Sequence, residues 1–429
     1  MSEIVLRGGT VIDPSQKLHG VYDVLIGTGK VQAIAHRIPA ENRMILDVSG
    51  LTVMPGLIDV HTHLREPGYE EKETVLTGGR AAAAGGYTAI TAMPNTRPVT
   101  DSAAKIRRLK QLAAGAPVRI WPVGAASKGS LGAEPAEIAA MAACGACAIT
   151  DDGRGIQSAG VARQVLQLCA ESNLPLLEHC EDESIAGCGQ LHEGRLAEKF
   201  QLPGIPVSAE TVMLARDILL AGETQARLHL MHLSAAASVE LLRVAKDRGL
   251  PVTAEVTPHH LLLAEDDVEN LAALAKMKPP LRSTKDRTAL QSALAEGVID
   301  IIATDHAPHT EVEKSGSFAE APFGVVGLET AFPVLFTFLV ERGVLTIDQL
   351  VDRMSCRPAA IFRLPGGTLK PGSPADVAVF DLQCQFIIDK EHFYSKGKNT
   401  PFHGLTVRGR PVLTMVGGRI VMRDGKVFS

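Results

Sequence analysis

Apolar positions along this chain follow two rhythms. Near both ends the apolar residues come in short alternating runs punctuated by glycine: 4–7, 21–26 and 31–34 at the start, then 376–381, 405–409 and 412–418. An alternation of two residues marks a half-buried strand, and glycine clusters mark the turns between strands. The middle of the chain behaves differently. Eight short β-type runs (52–60, 87–92, 118–123, 146–150, 175–178, 227–231, 252–256 and 300–304) are separated by long stretches of helix formers such as 103–114, 161–171, 208–221, 238–248 and 286–295. Eight β/α alternations predict an α/β fold, a (β/α)8 TIM barrel. A doubly wound sheet would carry a glycine-rich phosphate turn after its first strand, and none follows residue 60. The β-rich ends are expected to pair as one small domain, giving 1–51 and 365–429 to that domain and 52–364 to the barrel.

The strand ends are where the chemistry gathers. The first run finishes in Asp59-Val60-His61-Thr62-His63, and residues two apart on a strand face the same way. The fourth run is followed by Asp151 and Asp152, the fifth by His179, the sixth by His232 and the eighth by Asp305. Neutral imidazole and carboxylate are both ligands for zinc-like ions, and barrel enzymes place their sites at these C-terminal strand ends. One histidine at one strand end is ordinarily structural; ligand-type residues at five strand ends point to a metal centre. Their number suits two ions, and the lack of thiolates favours an open catalytic site over a closed structural one.

Residues beyond the strand ends indicate what such a site would hold. Arg65 follows the histidine pair and can clamp a carboxylate through two parallel hydrogen bonds. Asn95, in Met93-Pro94-Asn95-Thr96, offers both a donor and an acceptor. His309 lies four residues after Asp305, and the loop beyond it runs to Pro322-Phe323-Gly324, whose backbone can approach a ligand closely.

Composition narrows the partners. With 45% hydrophobic residues, the 429-residue chain can bury a large core. A net charge of −5 with no dense Lys/Arg block gives no surface for nucleic acid or anionic membrane. No leader-like segment and no membrane-length apolar run is present, and the seven scattered cysteines fit reduced thiols, so a cytoplasmic location is expected. Cys144-Gly145-Ala146-Cys147 matches C-x-x-C, but without a second such pair it reads as buried small residues.

Together these residues resemble the amidohydrolase superfamily and, within it, the bacterial class I dihydroorotases. The resemblance spans essentially the whole chain. Its most specific segments are Pro55–Gly68, Ala92-Met93-Pro94-Asn95-Thr96, Thr150-Asp151-Asp152-Gly153, Glu178-His179-Cys180-Glu181 and Ala303–His309, with Gly372-Ser373-Pro374-Ala375-Asp376 like the superfamily's return into its terminal β-sandwich. It implies that both termini build that sandwich. It implies zinc, two ions per subunit bridged by an aspartate and a hydroxide, held by His61, His63, Asp152, His179, His232 and Asp305. The residues alone leave Asp151 and Asp152 open; the family's spacing to His179 selects Asp152. Arg65, Asn95, His309, Phe323 and Gly324 are implied to bind substrate, and Asp305 to carry protons. The implied reaction is the reversible cyclisation of N-carbamoyl-L-aspartate to L-dihydroorotate in de novo pyrimidine synthesis. Partners implied are this small molecule, a second copy of the chain and aspartate transcarbamoylase.

Many relatives, hydantoinases included, bridge their metals with a carboxylated lysine. The fourth run here ends in Thr150, Asp151 and Asp152 with no lysine, which favours the aspartate-bridged dihydroorotases over enzymes of hydantoin or allantoin. One position departs from the family. Asparagine usually precedes Pro-Pro-Leu-Arg and helps bind the ring; this chain reads Lys276-Met277-Lys278-Pro279-Pro280-Leu281-Arg282. Lys278 is therefore a candidate substrate contact of altered charge. It is also the one feature favouring a non-catalytic, dihydroorotase-like partner of the transcarbamoylase, a role in which metal ligands would be lost.

Overall fold

A computed structural model describes residues 3–428. Eight parallel strands follow one another around a barrel: Leu57–Asp59, Tyr87–Ala92, Arg119–Ala125, Ala148–Thr150, Leu176–Glu178, Leu228–Leu230, Val252–Val256 and Ile301–Ile302. Alternation of side chains sorts their residues into two layers. Ile58, Ala89, Val123, Ala148, Leu177, Met231 and Ile301 come from, or lie beside, seven different strands, yet form one cluster with Phe362 and Leu364. Only the barrel interior brings them together. Their neighbours Ile90, Ile149, Leu176, Leu228 and Val252 face outward and join the larger cluster shared with the helices. The seventh strand puts no apolar side chain into the inner cluster. Its Glu255 is wholly buried there instead.

The seam between first and eighth strands is closed by a side chain. Asp59 accepts from the backbone N–H of His61 (3.0 Å) and of Thr304 (3.2 Å). Beyond it, His63 N–H donates to His306 O at 2.8 Å. Burial pushes the Asp59 carboxyl up to about 7, against the lowering effect of these hydrogen bonds.

The run 52–60, expected as a single barrel strand, is divided. Thr52–Pro55 belongs to the other sheet, where it pairs with Ile4–Asp13 and Val377–Ile387, and only Leu57–Asp59 enters the barrel. Gly56 makes the junction: a Cβ there would sit 2.1 Å from the Thr88 side chain. An apolar run with no break in its pattern can serve two sheets when a glycine lets the backbone pass.

That second sheet has nine strands drawn from both ends of the chain. Its order is Lys426–Val427, Arg419–Arg423, Thr406–Val416, Val377–Ile387, Thr52–Pro55, Ile4–Asp13, Leu18–Gly27 and Lys30–Ala35, with Met44–Asp47 also alongside Ile4–Asp13. It has its own core, including Leu6, Val24, Val53, Val377, Leu413 and Met415. A two-pronged ion pair from Arg119 to Asp376 (2.9 and 3.0 Å) and the Phe332–Phe380 stack at 3.9 Å join it to the barrel. Among the described residues no helix is long and apolar enough to cross a membrane, and none of the seven cysteines forms a disulfide.

Candidate metal centre and active site

The strand ends converge as the sequence pattern requires. His63 Nε2 lies 2.9 Å from Asp305 and 3.3 Å from Asp152. His61 Nε2 lies 3.3 Å from Asp305 and 3.6 Å from Asp152. On the other side His179 Nδ1 and His232 Nε2 are 2.9 Å apart, and Asp152 is 3.6 and 4.0 Å from them. Asp152 thus stands between two histidine pairs. Asp151 is turned away: its carboxylate accepts from the Ala126 and Ser127 N–H groups (2.9 and 3.1 Å) and from the Ser127 hydroxyl. Two triads, His61–Asp152–His232 and His61–His63–Asp305, are compact enough to hold a metal ion, and every member is buried.

Three of these side chains sit on strained backbone. Arg65, His232 and Asp305 have φ of +62°, +31° and +48°, values that side-chain-bearing residues seldom adopt. Surrounding contacts hold each one. Arg65 Nε donates to Pro308 O at 3.2 Å, His232 N–H points at Glu255, and Asp305 is clamped between the Asp59 and His306 contacts of the seam.

Electrostatics show what the cluster can hold. Burial would lower the pKa of His61, but Asp305, Glu255 and Asp152 outweigh it and raise that pKa well above its ordinary value. Burial likewise tends to raise the Asp152 and Asp305 carboxyls; the His61 and His63 rings hold both below the usual carboxylate range. The buried carboxylates therefore surround His61 with a demand for positive charge. At the same time His61 Nε2 makes no hydrogen bond, although it is wholly buried.

Glu255 was not singled out from the sequence. It receives His61 Nδ1 at 2.5 Å and His229 Nε2 at 3.1 Å. Despite burial, these two histidines draw its carboxyl down to about 2. A carboxylate on the far ring nitrogen fixes the tautomer and aims Nε2 at the cluster. The available signal was one acidic residue inside a β-type run, Val252-Thr253-Ala254-Glu255-Val256.

A cavity of about 250 Å³ opens above the cluster. His63, Arg65, Asn95, Asp152, His179, His232, Lys278, Asp305, Phe323 and Gly324 all line it, while His61 and His309 stand behind the wall. Asn95 does more than face the cavity: its Oδ1 meets His63 Nδ1 at 3.0 Å. His309 is neutral, since burial and then Arg65 and Lys314 lower its pKa to about 3. Its Nε2 therefore carries the proton it donates to Phe323 O at 2.8 Å. Gly324 (φ +123°) packs so closely on Ala307 that a Cβ would lie 2.7 Å from that side chain. Lys278 Nζ is 2.5 Å from Glu181 and 5.5 Å from the centre of the Phe323 ring.

Comparison with known proteins agrees with this geometry. A family model described as Dihydro-orotase-like matches residues 50–238. A dihydroorotase from Pelotomaculum thermopropionicum is 47% identical, covering 98% of this chain and 99% of that protein. One from Anaeromyxobacter dehalogenans is 49% identical, covering 99% of each. Among solved structures, the L-hydantoinase (dihydropyrimidinase) from Arthrobacter aurescens gives a TM-score of 0.91 at 29% identity, covering 100% of this chain and 98% of that one. The dihydropyrimidinase from Brevibacillus agri NCHU1002, 24% identical with a TM-score of 0.87, covers 99% of this chain and 96% of its own and shares the fold. Near-complete coverage at such identity, on a barrel whose strand ends gather histidines and aspartates around one cavity, places this chain in the dihydroorotase family.

Proposed function

We propose that this protein is a metal-dependent dihydroorotase that interconverts N-carbamoyl-L-aspartate and L-dihydroorotate. The observation that carries the reading is Asp152 between two histidine pairs, at the floor of a cavity that also holds Arg65. The fourth strand supplies Thr150 and then two aspartates, with no lysine to carry a bridging carboxylate. A non-catalytic partner would have lost ligands, whereas all six candidates lie side by side.

The donors fit divalent metal. His61 Nε2 is buried, unpaired and next to two carboxylates, and the surrounding charge calls for a cation. Imidazole and carboxylate without thiolate suit zinc, and we assign two ions per subunit to His61, His63, Asp152, His179, His232 and Asp305. Bound there, such ions would acidify a water and polarise the ring carbonyl.

The chain's own residues do the rest. Arg65 and Asn95 bind the substrate carboxylate, and His309, Phe323 and Gly324 complete the substrate side of the site, so that the reacting carbonyl is held over the cluster. Asp305 is ionised and close to both histidines of the first strand. It takes the proton lost by the attacking water and passes it to the ring nitrogen as the C–N bond breaks; in cyclisation the same proton travels back. The family relationship extends the proposal to a cytoplasmic homodimer able to associate with aspartate transcarbamoylase, which light scattering alone and in mixture would check.

Proton counting gives the functional test. Near neutrality N-carbamoyl-aspartate carries two negative charges and dihydroorotate one, so ring closure consumes a proton. Each pH unit upward is expected to move the equilibrium about tenfold toward the open form. The measurement is the ratio of the two compounds after the protein has brought dihydroorotate to equilibrium at several pH values, with hydantoin and allantoin as comparison substrates. Turnover of hydantoin or allantoin without dihydroorotate overturns the proposal, as does a ratio independent of pH.

A further inference from the structure

Lys278 and Lys276 lie two residues apart and are used in opposite ways. Lys276 Nζ is enclosed by Gln190 Oε1 (2.5 Å), Phe318 O (2.7 Å) and Ala319 O (3.0 Å), which satisfies all three of its protons. Lys278 lines the cavity instead. Among the described residues its Nζ has one polar partner, Glu181 at 2.5 Å, and the Glu181 side chain is only 6% exposed. The ammonium forms an ion pair with that carboxylate, and its remaining N–H groups are available to whatever occupies the cavity. Glu181 does not line the cavity; it stands behind Lys278 and cancels its charge.

We infer that Lys278 is a specificity-determining residue paired with Glu181, so that it serves the substrate as a hydrogen-bond donor from a pair with no net charge. Glu181 is then a positioning residue. The inference rests on the dihydroorotase reading, in which the open reactant carries two negative charges and the ring one. A bare cation in the cavity would favour the doubly charged open form over the ring and hold back closure. An unpaired Glu181 would do the reverse. The pair leaves the balance between the two reactants to hydrogen bonding, as the family's asparagine does with a neutral amide.

The test is the ratio of KM for N-carbamoyl-aspartate to KM for dihydroorotate in metal-loaded wild type, Glu181→Gln, Lys278→Asn and the double variant. Glu181→Gln is expected to lower this ratio about fivefold and Lys278→Asn to raise it about fivefold, as one uncompensated charge does near a charged ligand. The double variant should return to within about twofold of wild type. Because the overall equilibrium is fixed, the ratio of forward to reverse kcat must follow the KM ratio. Simple structural damage would not produce opposite shifts. Single variants that change both KM values by the same factor overturn the inference, as does a double variant no nearer wild type than either single one. If wild type does not turn over dihydroorotate, the functional reading fails, and calorimetric affinities of both compounds for the same four proteins test the pair; equal affinity ratios across the four then overturn it.

Discussion

At the floor of the cavity and just beneath it, His61, His63, His179, His232 and Asp305 leave the ends of strands of one hydrogen-bonded barrel, and Asp152 follows the fourth strand by two residues. All six are buried. The rim is built otherwise. Lys278, His309, Phe323 and Gly324 ride on the segments after the seventh and eighth strands, which are held by side chains from distant parts of the chain. Asn399, reaching over from the terminal sheet's half of the sequence, accepts from His309 N–H at 3.1 Å and donates to Ala307 O (3.0 Å) and Gly324 O (3.1 Å). Lys314 Nζ ties Ala273 O, Lys276 O and Pro322 O together at 2.8 to 3.2 Å. The floor borrows its geometry from the barrel, and the rim is laced together by polar side chains. Changes on the floor should therefore strike metal binding and chemistry, and changes at the rim should strike substrate affinity.

The largest effect is expected at Asp305. Asp305→Ala removes the proposed proton carrier, and turnover should fall by about a thousandfold or more while part of the metal remains. Steady-state kinetics beside metal analysis checks this, and near-normal kcat would detach Asp305 from proton transfer. Next comes Glu255, which does not itself line the cavity but orients His61. Glu255→Gln should weaken metal binding by about 10- to 100-fold, read by competition with a chelator, with activity recovering at high metal concentration. Unchanged metal affinity would mean that the barrel alone aims His61. A smaller effect is expected at the rim. Asn399→Ala strands one backbone donor and two carbonyls, so KM for dihydroorotate should rise about tenfold with a lesser change in kcat and unchanged metal content. Loss of metal in that variant would erase the distinction between floor and rim.

The same contrast explains what the sequence disclosed. The eight β/α alternations and the ligand-type residues after five of the strands were readable because a strand's direction fixes where its last side chains go. Asp152 and Asp151 could not be separated by pattern, since adjacent residues leaving a strand end differ only in what receives them; Ser127 and the Ala126 backbone take Asp151. The division at Gly56 was hidden inside an unbroken apolar run. Glu255 was hidden because its role depends on His61, at the end of a strand six places earlier in the chain. Asn399 lies more than seventy residues from the loops it binds, and no local pattern connects them. Lys278 stood out in the sequence as a charge where an amide was expected. The structure adds Glu181, which changes the meaning of that charge.

The central claim is that the histidine and aspartate floor holds metal for the opening and closing of dihydroorotate. The most direct measurement is the initial rate of dihydroorotate ring opening by the purified protein, followed by the loss of absorbance of the ring, before chelation, after chelation and after titration back with zinc. Activity that vanishes with the metal and returns as zinc approaches two ions per chain is the predicted result. Full turnover by protein stripped of metal would contradict the account.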